Sequence, residues 1–457
     1  MGYPEEIERL KELDKRYVWH PFTQMKDWLA GEPVVIREGR DCFIKDTSGR
    51  WYLDGVSSLW VNIHGHRKKE IDDAIRAQLD LIAHSTLLGL GNIPSILLAE
   101  RLVRIAPKAS GRPGLTKVFY SDNGSTAVEV SLKMAFQYWI HKGRKGRKSF
   151  LSLDRAYHGD TLGAVSVGGI DIFHNVFSPL LFATHKAPAP YCYRCELGLS
   201  RPDCSMACLA AMEKILEEHA RELAAVIVEP LVQAAGGMIV WPEGYLAGVR
   251  ELCDRYDVLM IADEVATGFG RTGRMFACEH EAVVPDIMCL SKGITNGYLP
   301  LAATLATDEI YNAFLGEFAD LKTFFHGHSY TGNPLAASAA VACLDVFEQE
   351  KTLEDLRPKT DLFVEALQDI AELPKVGEAR SKGLIAGLEL VRDKASAEPY
   401  GWEEKMGWQV CLRALQDGVL IRPLGNVVVL MPPLCISPDN LKHLMNIVKK
   451  SIIAVTG

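Results

Sequence analysis

Lys292 and Asp263 are the first residues whose types and spacing suggest chemistry. Lys292 lies in Ser291-Lys292-Gly293, just after the apolar run Asp286-Ile-Met-Cys-Leu290. Asp263, followed by Glu264, closes a similar run, Val258-Leu-Met-Ile-Ala262. Neither run repeats every 3.6 residues, so each reads as a strand buried on both faces. In open α/β sheets, ligands gather at the carboxyl ends of strands. An acid and a lysine therefore stand where ligands collect. Pyridoxal phosphate chemistry needs such a pair: an amine to engage the aldehyde, and a carboxylate to keep the pyridine nitrogen protonated. Each half also has a plain structural reading. Asp-Glu after a strand is a common turn, and Ser-Lys-Gly is a common helix end.

A third element is consistent with that chemistry. The strand Thr116-Lys-Val-Phe-Tyr120 runs into Ser121-Asp-Asn-Gly-Ser-Thr126 and then into a helical sequence. Small polar residues at a helix N-terminus form an anion site, because free amides and the dipole point at one spot. Gly124 and Ser125 head that site, and Ser125 could equally be the N-cap. After the strand Phe150–Leu153 comes Tyr157-His-Gly-Asp-Thr161, where Tyr157 could stack on a flat ring. A further buried strand, Ala224–Val228, ends at Glu229-Pro230. Gly268-Phe-Gly-Arg-Thr-Gly273 matches G-x-G-x-x-G literally, but its context argues against a dinucleotide. The acids precede the glycines, and the following segment is too short for the long helix of a first βαβ unit.

These residues must be held by a large scaffold. The chain has 457 residues, 48% hydrophobic and 24% charged, enough for two or three domains with a sizeable core. A net charge of -8 gives no sign of nucleic-acid or anionic-membrane binding. The N-terminal residues are charged and lack the apolar stretch of a secretory signal. The longest central apolar stretch, Leu223–Val232, is broken by Glu229-Pro230 and falls short of the ~20 residues that span a membrane. Eleven cysteines then point to reduced thiols and a cytoplasmic protein. Four of them, Cys192-x2-Cys195-x8-Cys204-x3-Cys208, could hold zinc or an iron–sulfur cluster. They also read as free thiols on a surface loop. The central gap is shorter than in usual zinc ribbons, and no metal is assigned.

Taken in order, a charged helix is expected over 5–16, then an extended arm, Trp19–Met25. A hairpin is expected over Val34–Tyr52, turning at 46–50. Helices follow near 68–83, 94–106 and 208–221. The β-α-β alternation from 116 to 307 predicts an α/β fold with a mostly parallel sheet covered on both faces. A loop at Phe324–Pro334 leads to a helix at 335–349. Helices then alternate with strands at 383–390, 419–423 and 427–431 in a smaller α+β unit. The expected division is an arm with part of the small domain (1–66), a large domain (67–334) and a C-terminal small domain (335–457).

Over essentially its whole length the chain resembles the class III, fold-type I pyridoxal phosphate aminotransferases. The motifs are DNGSTAVE, YHGDT, IVEPLVQ, IADEVATGFGRTG, LSKG and HGHSYTGNP. WHPFTQM, SSLWVNIHGH, FQYW and IRPLG are similar to the branch that converts 8-amino-7-oxononanoate to 7,8-diaminononanoate in biotin synthesis. The resemblance implies that Lys292 is the Schiff-base lysine and proton shuttle, and that Asp263 pairs with the pyridinium nitrogen. It also implies that Gly124 and Ser125 hold the phosphate and that Tyr157 stacks on the ring and shapes the substrate site. Gly327, His328 and Ser329 would reach cofactor and substrate from the other subunit, implying a homodimer with a shared active site. Arg422 would take the substrate carboxylate, a role that suits a guanidinium fork. Phe22 and Leu59-Trp60 depart from the best-known form of that branch, which has a tyrosine and two tryptophans there and uses S-adenosylmethionine as amino donor. Both changes fall in the substrate pocket and remove a hydroxyl and an indole face for the cationic sulfonium. They are similar to members that use lysine. S-adenosylmethionine is the expected donor. L-lysine, or another class III ω-amine reaction, is the alternative.

Overall fold

The structure is a computed structural model that describes residues 4–457. It is an α/β protein. Strands β1 (Ile36–Arg40), β2 (Phe43–Asp46) and β3 (Trp51–Asp54) form an antiparallel meander. The single hairpin expected over 34–52 is therefore three strands with two turns. The turn at 46–50 is built on Asp46, whose carboxylate accepts from the Ser48 and Tyr52 hydroxyls and from the Arg50 amide. The second turn, at Arg40–Phe43, carries no glycine or proline; Asp41 takes the left-handed conformation instead, with φ 51°. Nothing in the local sequence marks it. The stretch 19–25 is not wholly extended: a short helix, Met25–Ala30, starts at its end.

The central sheet uses β4 (Leu115–Ser121), β5 (Ser149–Leu153), β6 (His185–Ala187), β7 (Leu223–Val228), β10 (Leu259–Asp263), β11 (Ile287–Leu290) and β12 (Ala302–Thr307). Between them, β8 (Val232–Gln233) and β9 (Ile239–Val240) make a small separate ribbon. The order across the sheet is β4-β12-β11-β10-β7-β5-β6. Five strands run parallel, from β11 to β6. β12 is antiparallel to both neighbours, so β4 again points the same way as β11. The carboxyl ends of β4, β5, β7, β10 and β11 thus share one edge with the start of β12.

Burial on both faces is visible residue by residue. Along β10, Met260 and Ala262 belong to one core, and Leu259 and Ile261 to the other. Along β7, Val226 and Val228 alternate with Ala225 and Ile227 in the same way. A period of two with apolar residues on both faces is what a covered parallel sheet demands. The helix Gly124–His141 supplies much of one cover, with Ala127, Val128, Leu132, Ala135 and Trp139 in the second core.

The C-terminal part has β13 (Val376–Lys382), β14 (Ile385–Asp393), β15 (Glu398–Pro399), β16 (Val419–Leu420), β17 (Arg422–Leu424) and β18 (Val427–Leu430). Its sheet runs β13-β14-β18-β17, with β15 on the end of β14. β13 was not expected; its sequence, VGEARSK, is polar and mostly half-exposed. The run 419–423, expected as one strand, is two strands in two sheets. β16 pairs parallel with β3, whereas β17 pairs antiparallel with β18. The C-terminal and N-terminal segments are therefore joined by backbone hydrogen bonds. Among the described residues no helix is long and apolar enough to cross a membrane.

Candidate active site

A cavity of about 730 Å³ opens at the shared carboxyl edge. Its lining includes Lys292, Asp263, Tyr157, Gly124, Ser125, Leu59 and Trp60. Sheet register explains the first two. β10 and β11 are parallel neighbours with Asp263 opposite Cys289, so the residues after each strand emerge side by side. Lys292 itself adopts φ 42°, a left-handed conformation that costs a lysine energy and turns the chain into the cavity.

Asp263 and Glu264 divide their work. Asp263 is 4% exposed and accepts from the Val265 amide at 3.1 Å; its other oxygen lies 2.7 Å from His158 Nδ1. Glu264 turns the other way, accepting from the Thr267 hydroxyl and the Ala277 and Cys278 amides. It ties down the loop that contains the G-x-G-x-x-G match. That loop has no long helix, and its Arg271 is buried against the carbonyls of Pro432 and Asn62. The arrangement suits a structural loop rather than a dinucleotide turn.

The anion cradle is built differently from the expectation in one respect. Asn123, not Ser125, is the N-cap: its side chain accepts from the Thr126 amide at 3.1 Å, and Thr126 Oγ1 accepts from the Asn123 amide. Ser125 is thereby released from capping. Its hydroxyl oxygen accepts from the Asp160 amide at 3.1 Å, which leaves its proton free to donate. The amides of Gly124 and Ser125 have no acceptor among the described residues. A Cβ on Gly124 would sit 2.7 Å from Val265 Cγ1, and one on Gly159 (φ +124°) would strike Ser125. Two glycines thus keep the cradle open.

Trp60 and Leu59 reach the cavity through strain. Ser57, Ser58, Leu59 and Trp60 all have φ between 47° and 73°. Each such non-glycine residue costs roughly 1–2 kcal/mol. The run is held by buried Asp54, which accepts from the Ser58 amide and hydroxyl, and by the Ser57 hydroxyl donating to Met431 O at 2.6 Å. The Trp60 ring centroid then lies 5.3 Å from Lys292 Nζ. Leu59 is half-exposed.

Two cavity residues went unassigned in the sequence. Glu229 stands just after β7 much as Asp263 closes β10, so a similar signal was available. It accepts from the Tyr157 and Ala234 amides, both at 3.0 Å. Burial, helped by the Asp263 charge, pushes its pKa up to about 8. His158 was visible only as a neighbour of Tyr157. The segment Leu299–Leu301 also lines the cavity, because β12 enters the sheet at this edge.

The electrostatics favour a reactive amine. Lys292 is partly accessible through the cavity yet densely surrounded by protein, and desolvation lowers its pKa; the Asp263 and Glu229 carboxylates oppose this. Its ammonium has no hydrogen-bond partner among the described residues, only the Trp60 face. Tyr157 donates to Asp160 Oδ2 at 2.8 Å, and burial raises its pKa, so it stays a neutral phenol.

Other expected residues do not line this cavity within one chain. Phe22 is exposed and meets Phe173 edge-on at 5.3 Å; Phe173 in turn meets Tyr157 at 6.5 Å. Arg422 lies on β17 with its guanidinium 6.0 Å from the Trp408 ring centroid. Gly327 and Ser329 are exposed, and His328 Nδ1 is 3.5 Å from Asp122 Oδ2 at the cavity rim.

An amine, a buried carboxylate, two unpaired helix-start amides and a tyrosine in one cavity are groups that amino-group transfer on a phosphorylated aromatic aldehyde would need. Comparisons with known proteins agree with that chemistry. Residues 27–452 match the family model "Aminotransferase class-III". The chain is 58% identical over 453 residues to the adenosylmethionine-8-amino-7-oxononanoate aminotransferase of Geobacter sulfurreducens, covering 99% of each. It is 48% identical to the solved structure of the Methanocaldococcus jannaschii protein of that name, with TM-score 0.93, covering 98% of this chain and 99% of the other. An omega transaminase from Pseudomonas jessenii, solved in complex with PMP, is 31% identical with TM-score 0.93 and covers 98% of each chain. The expected α/β architecture of fold-type I holds, and the chain belongs to the class-III aminotransferase family.

Proposed function

We propose that this aminotransferase converts 8-amino-7-oxononanoate to 7,8-diaminononanoate, with S-adenosylmethionine as amino donor and pyridoxal 5'-phosphate as cofactor. The observation that carries the reading is the Lys292 amine, desolvated and free of hydrogen bonds, in one cavity with Asp263 and the Gly124–Ser125 cradle. Relatives at 58% and 56% identity across nearly the whole chain bear the name of this reaction, which supports the substrate pair. The residues fit the cofactor: two open amides and a hydroxyl for the phosphate, a carboxylate for the ring nitrogen, an amine for the aldehyde. When bound, pyridoxal phosphate supplies the electron sink.

The chain's own residues do the rest. Lys292 Nζ is the amine that would hold the cofactor through its aldehyde and, once freed by the donor amine, would serve as the base that carries the proton. Asp263 would keep the ring nitrogen protonated, and His158, 2.7 Å from its carboxylate, orients it. Tyr157, in the cavity wall, would stack on the ring and border the substrate. Trp60 and Leu59 border the substrate, with Phe22 at the outer edge. Arg422 takes the terminal carboxylate once substrate and loops close around it.

The working unit is a homodimer in which Gly327, His328 and Ser329 serve the partner's site. Exposed Leu88 (89%), Ile93 (73%) and Phe318 (98%) support a covering copy, because monomers rarely expose such apolar surface. Eleven free thiols support a cytoplasmic setting. The division at 66 and 334 fits the same scheme, with β16 on β3 tying the N-terminal arm to the small domain.

L-lysine as donor is the second reading, favoured by aliphatic Leu59 in the cavity wall and by Phe22 lacking a hydroxyl. Product formation from 8-amino-7-oxononanoate should be followed with S-adenosylmethionine and with L-lysine. Product with S-adenosylmethionine is expected. Product with lysine alone would establish the second reading, and product with neither would refute the acceptor.

A further inference from the structure

The four clustered cysteines play no part in the chemistry above. The segment 188–206 joins β6 to the helix Ala207–His219 and holds no helix or strand among its nineteen residues. Structureless connections longer than about 12–15 residues are uncommon unless functional or fastened. This one exposes Leu197 and Leu199 and has little core of its own.

Within it, Cys192, Cys195, Cys204 and Cys208 all line one cavity of about 20 Å³. That volume takes one water-sized or ion-sized occupant, and no organic ligand. The chain reverses sharply between the last two cysteines, where Ser205 and Met206 both adopt left-handed conformations (φ 45° and 55°). Such strain persists only where something over-determines it. Cys208 falls in the first turn of a thirteen-residue helix. Arg201 lines the same cavity and offers a counter-charge.

We propose that these four cysteines form a tetrathiolate site for a single thiophilic ion, zinc(II) in the first place, that fastens the 188–206 segment. Binding exchanges four thiol protons for the ion. Four soft sulfur ligands in a tetrahedral set select zinc over hard cations. Zn–S bonds of about 2.3 Å set sulfurs about 3.8 Å apart. Among the described residues no three of the four sulfurs lie within 4.8 Å of one another. Rotation about χ1 moves a cysteine sulfur by roughly 2–3 Å, and Cys192, the exposed member of the four, is the freest to turn.

The fastened segment braces the large sheet against the C-terminal one. Glu196, next to Cys195, pairs with Arg155 at 3.0 Å, two residues before Tyr157. Arg194 pairs with Glu389 on β14. The ion is thus a structural staple for the segment whose Glu196 and Arg194 hold Arg155 and Glu389.

The test is metal analysis of the full-length protein purified without oxygen and without a metal-affinity tag, beside its Cys192→Ser/Cys195→Ser variant. His185, His219 and Glu222 bring their ligand atoms within 4.8 Å, so His219→Ala is the control. About one zinc per chain is expected in the wild type and His219→Ala, and below about a tenth in the double variant. In case that variant does not fold, cobalt(II) exchanged into the wild type should give a sulfur-to-metal charge-transfer band and strong tetrahedral d–d bands. Metal-free protein with four titrating thiols or two disulfides would overturn the proposal. So would metal lost only in His219→Ala, acid-labile sulfide with iron, or cobalt spectra without thiolate bands.

Discussion

At the carboxyl edge of the seven-stranded sheet, Asp263, Glu229 and Lys292 are enclosed in protein without a single mutual ion pair. Asp263 and Glu229 take backbone amides and an imidazole; Lys292 takes only an aromatic face. At the junction with the C-terminal sheet, charge is buried just as deeply but fully paired. Glu389 meets Arg380 at 2.9 Å, together with Arg194 and the Tyr191 hydroxyl, and Arg380 also donates to the carbonyls of Gly237 and Met238. The two glutamates diverge accordingly. Burial pushes Glu229 up to about 8. Burial also pushes Glu389 upward, but Arg380, Tyr191 and Arg194 bring it below its ordinary value. Satisfied buried charge is a structural joint. Charge left short of partners around a cavity marks groups held ready for a ligand.

Substitutions can break this contrast, and the largest effect is expected at Lys292. Lys292→Ala should lower turnover by about 10⁴-fold or more while leaving the melting temperature near wild type. Steady-state assays beside a thermal melt decide it; a variant that keeps its activity would remove Lys292 from the chemistry. Arg380→Met should do the reverse. It leaves buried Glu389 with only Arg194 and the Tyr191 hydroxyl and should cost about 3 kcal/mol of stability, read as a lower denaturant midpoint, with much less change in kcat per folded chain. An unchanged midpoint would mean that the junction is not the joint described.

Glu229 sharpens the comparison through pH. Its folded pKa lies above the ordinary 4.5, so between about 4.5 and 8 the native state holds a proton that the unfolded state has lost. The stability it contributes is therefore full below that window and falls as pH rises through it. In the cofactor-free chain, Glu229→Gln should abolish that fall, by up to about 3 kcal/mol between pH 5.5 and 8.5. Denaturation midpoints of both proteins at the two pH values test it; parallel profiles would show an ordinary glutamate. The smallest effect belongs to Ser125→Ala. Loss of one hydroxyl donor should weaken pyridoxal phosphate binding about tenfold, near 1.4 kcal/mol, with kcat at saturating cofactor almost unchanged. A cofactor titration followed by absorbance would reveal an unaltered Kd if Ser125 is not in the cradle.

Much of the site was legible because strand ends and helix starts carry local signals. Val258–Ala262 showed no helical period, and it is a strand with alternate residues in two cores. The same logic reached Lys292, Gly124, Ser125 and Tyr157. It stopped short at Glu229 although the pattern was similar, since an acid before proline also reads as a turn. The reversal of β12 was harder to see. Parallel return needs a crossover of about a dozen or more residues, usually a helix. Between β11 and β12 there are only residues 291–301, with one short 3₁₀ turn, so the chain comes back antiparallel. The left-handed run Ser57–Trp60 had no local signal at all. It contains no glycine and exists because Asp54 and Met431 O hold it.

Composition and local pattern by themselves determined the α/β class, the buried strands and which residues stand at their ends. These depend on backbone preference and on the spacing of apolar side chains, both short-range properties. Tertiary structure decided which ends share an edge and that the run at 419–423 is split between two sheets. Both outcomes depend on partners outside the local sequence, and β16 finds its partner as far back as Leu53. A hydrogen bond such as Ser57 to Met431 O can hold a strained turn only after the sheets around it have formed.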